Sequence, residues 1–283
     1  MSDTDNLGKL GKAWRGVRHV MGGGDAGGAP PKAQIAILNR TVDDLRKQVK
    51  WLEMLTEELL VEQRGYCLLP PERLRMHIGA RESAANFWNQ GRHSSQRVLE
   101  VFGENPSGPV LDWGCGCGRT LYWLHAHTAW REQYRGCDVD AEAIKWLRKQ
   151  GTGGVAVCAP APPLPYADGT FAGLFCFSVL THIHPLQHRG WIEDIHRIVR
   201  PGGRAYLTAN SDAHVGDPGA FRERDRQAYR EQGWVYVEHP GHYKSAAAVS
   251  LKHMMASLDG LFELEQHRQA GYHRMDDFVV RRI

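Results

Sequence analysis

The sequence lacks the features of a membrane-spanning or a secreted, disulfide-bonded protein. Its apolar runs fall short of the roughly 20 residues that a membrane-spanning helix needs. Residues 1–12 are polar and lack the apolar core of a secretory signal. The 283 residues include only six cysteines, which we interpret as reduced thiols because disulfide frameworks are typical of short exported chains. We therefore expect a cytoplasmic location.

The sequence also lacks an excess of charge of either sign. The 35 Lys and Arg residues against 32 Asp and Glu residues leave a net charge of +3. This value is too small to favour a nucleic acid or an anionic membrane surface, so neither is expected as a partner. The hydrophobic share of 42% is that of a globular protein, and the length allows one medium α/β domain with an extension.

The N-terminal part of the chain changes composition at residue 34. Residues 1–33 predict a flexible tail, because GGGDAGGAPP at 22–31 cannot pack. Residues 34–64 predict a helix with apolar residues at heptad spacing. These residues are Ile35, Leu38, Val42, Leu45, Val49, Leu52 and Leu59. The pattern favours a parallel coiled coil over residues 34–62 that makes a homodimer, and the alternative is an amphipathic helix packed on its own domain.

The remaining chain predicts a helical cap over residues 65–106 and a catalytic domain over 107–283. The cap contains a helix over 72–102. Predicted strands cover 110–112, 133–138, 154–158, 174–178, 204–209, 262–267 and 277–281, and predicted helices cover 121–129, 142–150 and 189–199. Short apolar strands that alternate with helices indicate an α/β, Rossmann-like fold, with helices on both faces of a mostly parallel seven-stranded sheet. The last two strands predict a closing hairpin.

The strongest motif is VLDWGCGCGR at residues 110–119, in which a buried strand runs into Gly114, Gly116 and Gly118. We call residues 114–118 the glycine loop. Glycine permits a tight turn and close approach of a ligand, and the following helix offers free N–H groups to a carboxylate. A second strand ends about twenty residues later at Asp138, which can accept hydrogen bonds from both hydroxyls of a ribose. The pattern predicts a nucleoside cofactor.

Asp112 and Arg119 indicate which nucleoside is bound. The glycine spacing is GxGxG, whereas a dinucleotide site has GxGxxG with a third glycine for close helix–strand packing. Arg119 stands at that last position. Asp112 would repel a pyrophosphate but suits the ammonium group of a methionine moiety. Both departures favour S-adenosylmethionine over NAD, and an NAD-dependent oxidoreductase is the weaker alternative.

The chain from residue 110 onward resembles a class I S-adenosylmethionine-dependent methyltransferase of the small-molecule or glycan type, preceded here by the heptad helix. The matching segments are 114–118, 136–140, 164–171, 199–204 and 277–281. Their order along about 170 residues makes the combination specific.

The resemblance implies a role for each matching position in cofactor binding. The amino-acid end of the cofactor is assigned to Asp112, Gly114, Cys115, Gly116 and Gly118. Asp138 is expected to hold the ribose, and Val139 to pack on the adenine. Ser178 and Leu180 are expected to line the path of the methionine. Residues 158–161, CAPA, lack the Asp or Asn that often binds the adenine amino group, so that contact is unassigned.

Two histidines after the fourth predicted strand are the candidates for chemistry. Methyl transfer to oxygen or nitrogen requires an aligned acceptor and a group that removes its proton. Imidazole suits this task because its ordinary pKa is near 6.5. We predict His182 as the general base and His184 as a substrate contact; the alternative for His182 is a backbone-bonded residue at a helix start. His188 and His196 are interpreted as structural.

Residues 211–250 predict the insertion that forms the substrate pocket. It contains Trp234, Tyr236, His239, His242, Tyr243 and Lys244. Such rings and polar groups suit a polyhydroxylated or ring-bearing acceptor, and His242 and Tyr243 are predicted substrate contacts. The alternative is a surface loop whose aromatic rings pack on the sheet. On the cap, Gly91 and Arg92 are expected near the cofactor carboxylate.

Competing ligands are weaker interpretations. Cys115, Cys117 and Cys137 lack a matching second pair of ligands, so no metal is predicted. Residues 177–179 read FSV, not the Asp/Asn-Pro-Pro-aromatic motif of enzymes that methylate nucleobases. The predicted function is O-methylation of a small molecule or cell-surface sugar. A secondary-metabolite O- or N-methyltransferase and a catalytically silent cofactor-binding subunit are the alternatives.

Overall fold

The computed structural model describes residues 35, 38–49, 69–77, 84–217, 221–238 and 245–283. The chain divides into two compact units, Met1–Gln63 and Arg64–Ile283. In the described residues, no helix combines the length and apolar character needed to cross a membrane. Residues 38–49 of the first unit are helical (α1). The heptad residues described there, all exposed, are Ile35, Leu38, Val42, Leu45 and Val49.

Seven strands of the second unit form one sheet, and two form a separate hairpin. The strands are β1 Val110–Trp113, β2 Tyr134–Asp138, β3 Val155–Val157, β4 Phe171–Cys176, β5 Val199–Ala209, β6 Trp234–Val237, β7 Ala246–Val249, β8 Phe262–Tyr272 and β9 Met275–Arg282. The large sheet has the order β3-β2-β1-β4-β5-β9-β8. β1 to β5 are parallel, and β9 is antiparallel to both neighbours. The predicted Rossmann-like fold with a closing hairpin is confirmed.

Helices precede, connect and cover these strands. They are α2 Glu72–His77, α3 Ala84–Phe102, α4 Leu121–Leu124, α5 Thr128–Gln133, α6 Ala141–Lys149, α7 His188–Ile198, α8 Asp212–Val215, α9 Glu223–Gln232 and α10 Leu251–Leu258. The predicted helix over 72–102 corresponds to α2 and α3, and residues 78–83 between them lie outside the described part. The predicted helix over 121–129 is wrong in extent, because α4 ends at Leu124 and α5 begins at Thr128.

The sheet is buried on both faces, which explains its apolar strands. In β4, Leu174 and Cys176 belong to the hydrophobic cluster that includes residues of α7 and α10, whereas Phe175 belongs to the cluster that includes Val98 of α3. Alternate strand residues point to opposite faces, so a strand covered on both sides is apolar throughout. The carboxyl ends of β1, β2, β4 and β5 and the β8–β9 turn consequently share one edge, the carboxyl edge.

Two boundaries of the sequence prediction are corrected by the structure. β4 ends at Cys176, not at residue 178, and the left-handed φ of +63° at Ser178 turns the chain out of the extended conformation. The insertion over 211–250 contains the β6–β7 hairpin, which the sequence did not predict. Residues 239–244 in that hairpin lie outside the described residues, and with them the predicted substrate contacts His242 and Tyr243.

Candidate functional site

The glycine loop follows β1 and is held by backbone hydrogen bonds to the end of β2. The amides of Gly114 and Cys115 both donate to the carbonyl of Cys137, at 2.8 and 3.1 Å. The amide of Gly116 donates to Asp138 Oδ2 at 2.7 Å. The shape of the loop is therefore set by two consecutive residues of the neighbouring strand.

Glycine is required in this loop for both conformation and space. Gly114, Gly116 and Gly118 have φ values of +80°, +52° and +88°, in the left-handed region that side chains disfavour. A Cβ atom on Gly114 would lie 2.4 Å from Val179 Cγ2, and one on Gly118 would lie 2.6 Å from Leu147 Cδ2. Two of the three positions thus admit no side chain without movement of a neighbour.

Asp138 lies at the carboxyl edge with both carboxylate oxygens partly engaged. Oδ1 accepts a hydrogen bond from the Asp140 amide at 2.8 Å, and Oδ2 accepts the one from Gly116. A carboxylate has about four lone-pair sites, so each oxygen can accept one more donor. Burial raises the pKa of Asp138, and these backbone bonds oppose the rise. The adjacent Val139 is 44% exposed and offers an apolar surface beside this carboxylate.

Asp112 is a buried acid beneath the glycine loop. Its Oδ2 accepts a hydrogen bond from the Tyr134 hydroxyl at 2.9 Å. Burial raises the pKa of Asp112 to about 7, while the Tyr134 hydrogen bond lowers it, Asp138 raises it and Arg119 lowers it. A cationic ligand group beside Asp112 would favour the charged carboxylate.

Helix α3 packs directly on the end of the glycine loop. A Cβ atom on Gly91 would lie 2.3 Å from the carbonyl oxygen of Arg119, so this helical glycine permits the close approach. The Arg119 guanidinium donates to Gln90 Oε1, and Ser94 Oγ lies 2.8 Å from Thr120 Oγ1. Gly91 thus packs beside the loop, and the expected position of Gly91 and Arg92 near the cofactor carboxylate stays a prediction. The roles of Gln90 and Ser94 were not foreseen, since the sequence gives no sign of their long-range partners.

The turn after β4 is fixed through Ser178. Its amide donates to Thr208 Oγ1 at 2.7 Å, and its hydroxyl lies 2.7 Å from Thr181 Oγ1. Leu180 is fully buried and packs in the core beneath this turn. The cofactor contacts expected for Ser178 and Leu180 stay predictions.

His182 is exposed and its ring is oriented by the β6–β7 hairpin. Nδ1 lies 2.9 Å from the carbonyl oxygen of Ser245. A carbonyl only accepts hydrogen bonds, so Nδ1 carries the proton and Nε2 is the basic nitrogen in the neutral ring. The structure records no hydrogen bond for Nε2 within the described residues. This tautomer suits proton abstraction by Nε2.

His184 is held by its own turn and by the hairpin. Its Nδ1 accepts a hydrogen bond from the Leu186 amide at 3.3 Å. Its ring centroid lies 5.2 Å from that of Trp234 and 4.7 Å from that of Tyr236. The fold therefore brings the predicted substrate contact together with two aromatic residues of the insertion. Because these contacts account for the position of His184, its role toward a substrate stays a prediction.

His188 holds the segment after β4 in place through hydrogen bonds to two of its carbonyl groups. Its Nε2 lies 3.1 Å from the Leu180 carbonyl oxygen and 3.2 Å from that of Ile183, so Nε2 must be the donor. Nδ1 is buried and has no hydrogen-bond partner among the described residues. Burial lowers the pKa of His188 to about 4, which keeps the ring neutral near pH 7. These contacts are those of a structural residue.

The cysteines near the site are buried thiols. Cys115, Cys117, Cys137, Cys158 and Cys176 are free and buried. Within the described ranges, no group of three or more His, Cys, Asp or Glu side chains is arranged to hold a metal ion.

Comparison with known sequences identifies a domain in this part of the chain. Residues 110–203 match the family model described as a methyltransferase domain. The chain is 29% identical to the O-methyltransferase resE of Aspergillus sclerotiorum, over 53% of this chain and 50% of that protein. It is 28% identical to the malonyl-acyl-carrier-protein O-methyltransferase of Pseudescherichia vulneris, over 41% of this chain and 45% of that protein. The chain thus spans about half the length of these curated relatives.

Comparison with solved structures identifies the fold. A Listeria monocytogenes protein assigned to the S-adenosylmethionine-dependent methyltransferases superposes with a TM-score of 0.52 at 14% identity, over 69% of this chain and 99% of that one. At this identity the likeness concerns the fold alone. The Rossmann-like methyltransferase fold is confirmed, and the resemblance found in the sequence is confirmed for a methyltransferase domain over residues 110–203.

Proposed function

We propose that this protein, whose residues 110–203 form a methyltransferase domain, transfers the methyl group of S-adenosylmethionine to an acceptor hydroxyl. The observation behind the proposal is the glycine loop bound through Gly116 to the carboxylate of Asp138. This arrangement combines a tight turn of left-handed glycines with an acid at the neighbouring strand end. Both features suit a nucleoside that lies across two strand ends.

The chemistry of the available groups fits the two ends of this cofactor. Asp138 retains acceptor capacity for ribose hydroxyls, and exposed Val139 offers an apolar surface for the adenine. Asp112 supplies a carboxylate for the ammonium group. The amino-acid end would lie on the loop at Gly114, Cys115, Gly116 and Gly118, with Ser178 and Leu180 along the methionine. When bound, the cofactor supplies an electrophilic methyl group.

We infer that His182 removes the acceptor proton. The Ser245 carbonyl fixes the proton on Nδ1 and leaves Nε2 as the base. His182 follows β4 at the carboxyl edge, where the proposed cofactor and acceptor would meet. In this proposal Nε2 would accept the acceptor's hydroxyl proton, and the bound cofactor would supply the electrophilic methyl group to the oxygen.

We propose oxygen as the methylated atom, in a small molecule or a cell-surface sugar. Both curated relatives are O-methyltransferases by name. The rings of Trp234 and Tyr236 beside His184 suit a ring-bearing or polyhydroxylated acceptor. His242 and Tyr243 stay predicted contacts outside the described residues. A secondary-metabolite O- or N-methyltransferase and a catalytically silent cofactor-binding subunit are the alternatives.

We also propose that residues 34–62 form a homodimer through a coiled coil. The described heptad residues are exposed, and such a stripe is usually buried by a partner. Light scattering on the chain with and without residues 1–63 tests this; an unchanged number of protomers per particle would refute it. The cytoplasmic location stays a prediction.

The cofactor proposal is tested by calorimetry with S-adenosylhomocysteine. We expect Asp138→Ala to weaken binding by about 1–3 kcal/mol, because the ribose hydroxyls lose their acceptor. Asp140→Ala is the matched control: its carboxylate accepts hydrogen bonds from the Glu142 and Ala143 amides and caps α6, so nucleoside affinity should hold. Wild-type protein that binds NAD and ignores S-adenosylhomocysteine would refute the proposal.

The role of His182 is tested by turnover with radiolabelled methyl donor, on an acceptor found by screening hydroxylated compounds. His182→Ala should lower turnover by about 10²- to 10⁴-fold and spare S-adenosylhomocysteine affinity. His184→Ala serves as the comparison variant and should affect the Michaelis constant for the acceptor more than the turnover rate. If His182→Ala turns over at the wild-type rate, His182 is not the base.

A further inference from the structure

Three residues in the β8–β9 turn, which we define as residues 270–274, have a left-handed backbone conformation. Ala270, His273 and Arg274 have φ values of +51°, +45° and +68°. Among the described residues, Ser178 is the remaining non-glycine residue with positive φ, and it too lies at the carboxyl edge. Such strained conformations persist only where surrounding contacts impose them, and they cluster at functional sites. The strained backbone therefore marks this turn as a candidate ligand-binding position.

Contacts from two elements impose this conformation. Arg97 of α3 donates to the Gly271 carbonyl oxygen at 2.9 Å, and the Ala270 amide donates to Asp276 Oδ1 at 3.0 Å. A Cβ atom on Gly271 would lie 2.5 Å from Asp277 Oδ2, so the turn also packs closely on β9. These contacts fix the position of the residue at its centre, Tyr272.

The hydroxyl of Tyr272 is buried without a partner. The residue is 4% exposed, and its ring centroid lies 4.6 Å from that of Phe177 at the end of β4. The hydroxyl makes no hydrogen bond to any described residue. Ser94 lies nearby, and its Oγ directs its proton to the carbonyl oxygens of Gln90 and Gly91, at 3.0 Å each. Its position does not complete a hydrogen bond with the Tyr272 hydroxyl. A buried polar group without a partner is costly and calls for a ligand or another explanation.

The charged groups around this hydroxyl belong to the amino-acid end of the proposed cofactor site. Burial raises the pKa of Tyr272, an effect that Arg119 and Ser94 oppose and Asp112 reinforces. The phenol thus keeps its proton near neutral pH and is a hydrogen-bond donor. A phenol donor and a guanidinium, together with the Asp112 carboxylate, match a ligand that has an ammonium group next to a carboxylate.

We propose that the Tyr272 hydroxyl, together with the Arg119 guanidinium, holds a ligand carboxylate supplied by the amino-acid end of the nucleoside cofactor. The inference rests on the proposed function and deepens it. It adds a binding residue from the β8–β9 turn. This turn lies outside the sequence segments that resemble the methyltransferase family. In this arrangement Asp112 faces the ammonium group, and the otherwise unpartnered hydroxyl gains an anionic acceptor.

The experiment compares two nucleosides on the full chain by calorimetry. S-adenosylhomocysteine carries the amino-acid end, and 5′-methylthioadenosine lacks it. We expect Tyr272→Phe to weaken S-adenosylhomocysteine binding by about 10- to 100-fold, the loss of one hydrogen bond to a charged group, and to leave 5′-methylthioadenosine binding within about twofold. Tyr206→Phe is the matched control, because its hydroxyl already donates to Asp277 at 3.3 Å, and should change neither affinity.

Two results would overturn the inference. One is wild-type affinity of Tyr272→Phe for S-adenosylhomocysteine, and the other is an equal loss for both nucleosides. The melting temperature without ligand gives a second measure: Tyr272→Phe should melt at or above the wild type, since it removes an unpartnered hydroxyl, and a lower value would show that the hydroxyl is bonded within the protein. If the wild type binds neither nucleoside, the proposed function fails instead.

Discussion

At the carboxyl edge, contacts on the proposed cofactor side join residues that are closer in sequence than those joined on the proposed acceptor side. On the cofactor side, Gly116 and Asp138 are joined by a hydrogen bond between residues 22 apart. On the acceptor side, His182 and Ser245 are joined although they are 63 residues apart. A contiguous motif can thus specify the cofactor side, whereas the acceptor side is assembled from separate segments. Such segments can vary independently, as loops that determine specificity do.

The largest expected effect tests whether the cofactor side depends on close packing. Gly114→Ala combines left-handed strain with a contact 2.4 Å from Val179 Cγ2, and should reduce the free energy of unfolding by about 2–5 kcal/mol. Gly151→Ala is the matched control, because Gly151 has φ +78° but no atom within 4 Å of the added Cβ. Its loss should be about 1–2 kcal/mol, from strain alone. Equal losses in urea denaturation would show that packing at Gly114 is unimportant.

An intermediate effect is expected on the acceptor side, at His188. His188→Leu leaves the Leu180 and Ile183 carbonyl groups without their donor and should cost about 1–3 kcal/mol of stability. Its folded pKa of about 4 lies below the ordinary value near 6.5, so the unfolded chain binds more protons between these pH values. Wild-type stability should therefore rise with pH through this window.

Denaturation at pH 5 and pH 7 measures the effect of His188. The rise between these pH values should be smaller in His188→Leu than in the wild type. Exposed His93 on α3 provides the comparison variant, and His93→Leu should keep the full rise. An undiminished rise in His188→Leu would assign the pH dependence to other groups.

The smallest expected effect concerns Asp112 and nucleoside affinity. The folded pKa of Asp112 is raised to about 7, so burial of its charge lowers the stability of the ligand-free protein as pH rises from about 4 through 7. A ligand ammonium group reverses the preference. S-adenosylhomocysteine affinity should therefore increase by up to about tenfold from pH 6 to pH 8. Asp112→Asn should flatten this profile in calorimetry, and a profile that persists would remove Asp112 from the ammonium site.

The sequence predicted the sheet and the cofactor motif because both are expressed locally. The apolar strands and the glycines at 114, 116 and 118 are visible without knowledge of any distant partner. The hairpin was missed because Ala246–Val249 reads AAAV, which has little of the β-branched and aromatic character that marks a strand. The importance of Tyr272 was likewise invisible, since it depends on contacts from α3 and β4.

The end of β4 shows a different limit of sequence reasoning. LFCFS at 174–178 was predicted as a strand to its last residue, and only the left-handed φ of Ser178 shows that the strand stops earlier. That conformation is imposed by Thr208 of β5, which receives the Ser178 amide. The strand boundary is thus decided by a neighbouring strand and not by the propensity of its own residues.

The Cys137 carbonyl accepts two hydrogen bonds from the glycine loop, and this has a consequence for the kinetics of ligand binding. Because the amides of Gly114 and Cys115 already donate hydrogen bonds to β2, the glycine loop keeps its conformation when no ligand is bound. A nucleoside therefore binds to a preorganised loop, and little conformational entropy of the protein chain is lost on binding. Association should accordingly follow a single exponential, and the observed rate should increase linearly with nucleoside concentration. A slow rearrangement of the glycine loop would instead make this rate reach a plateau.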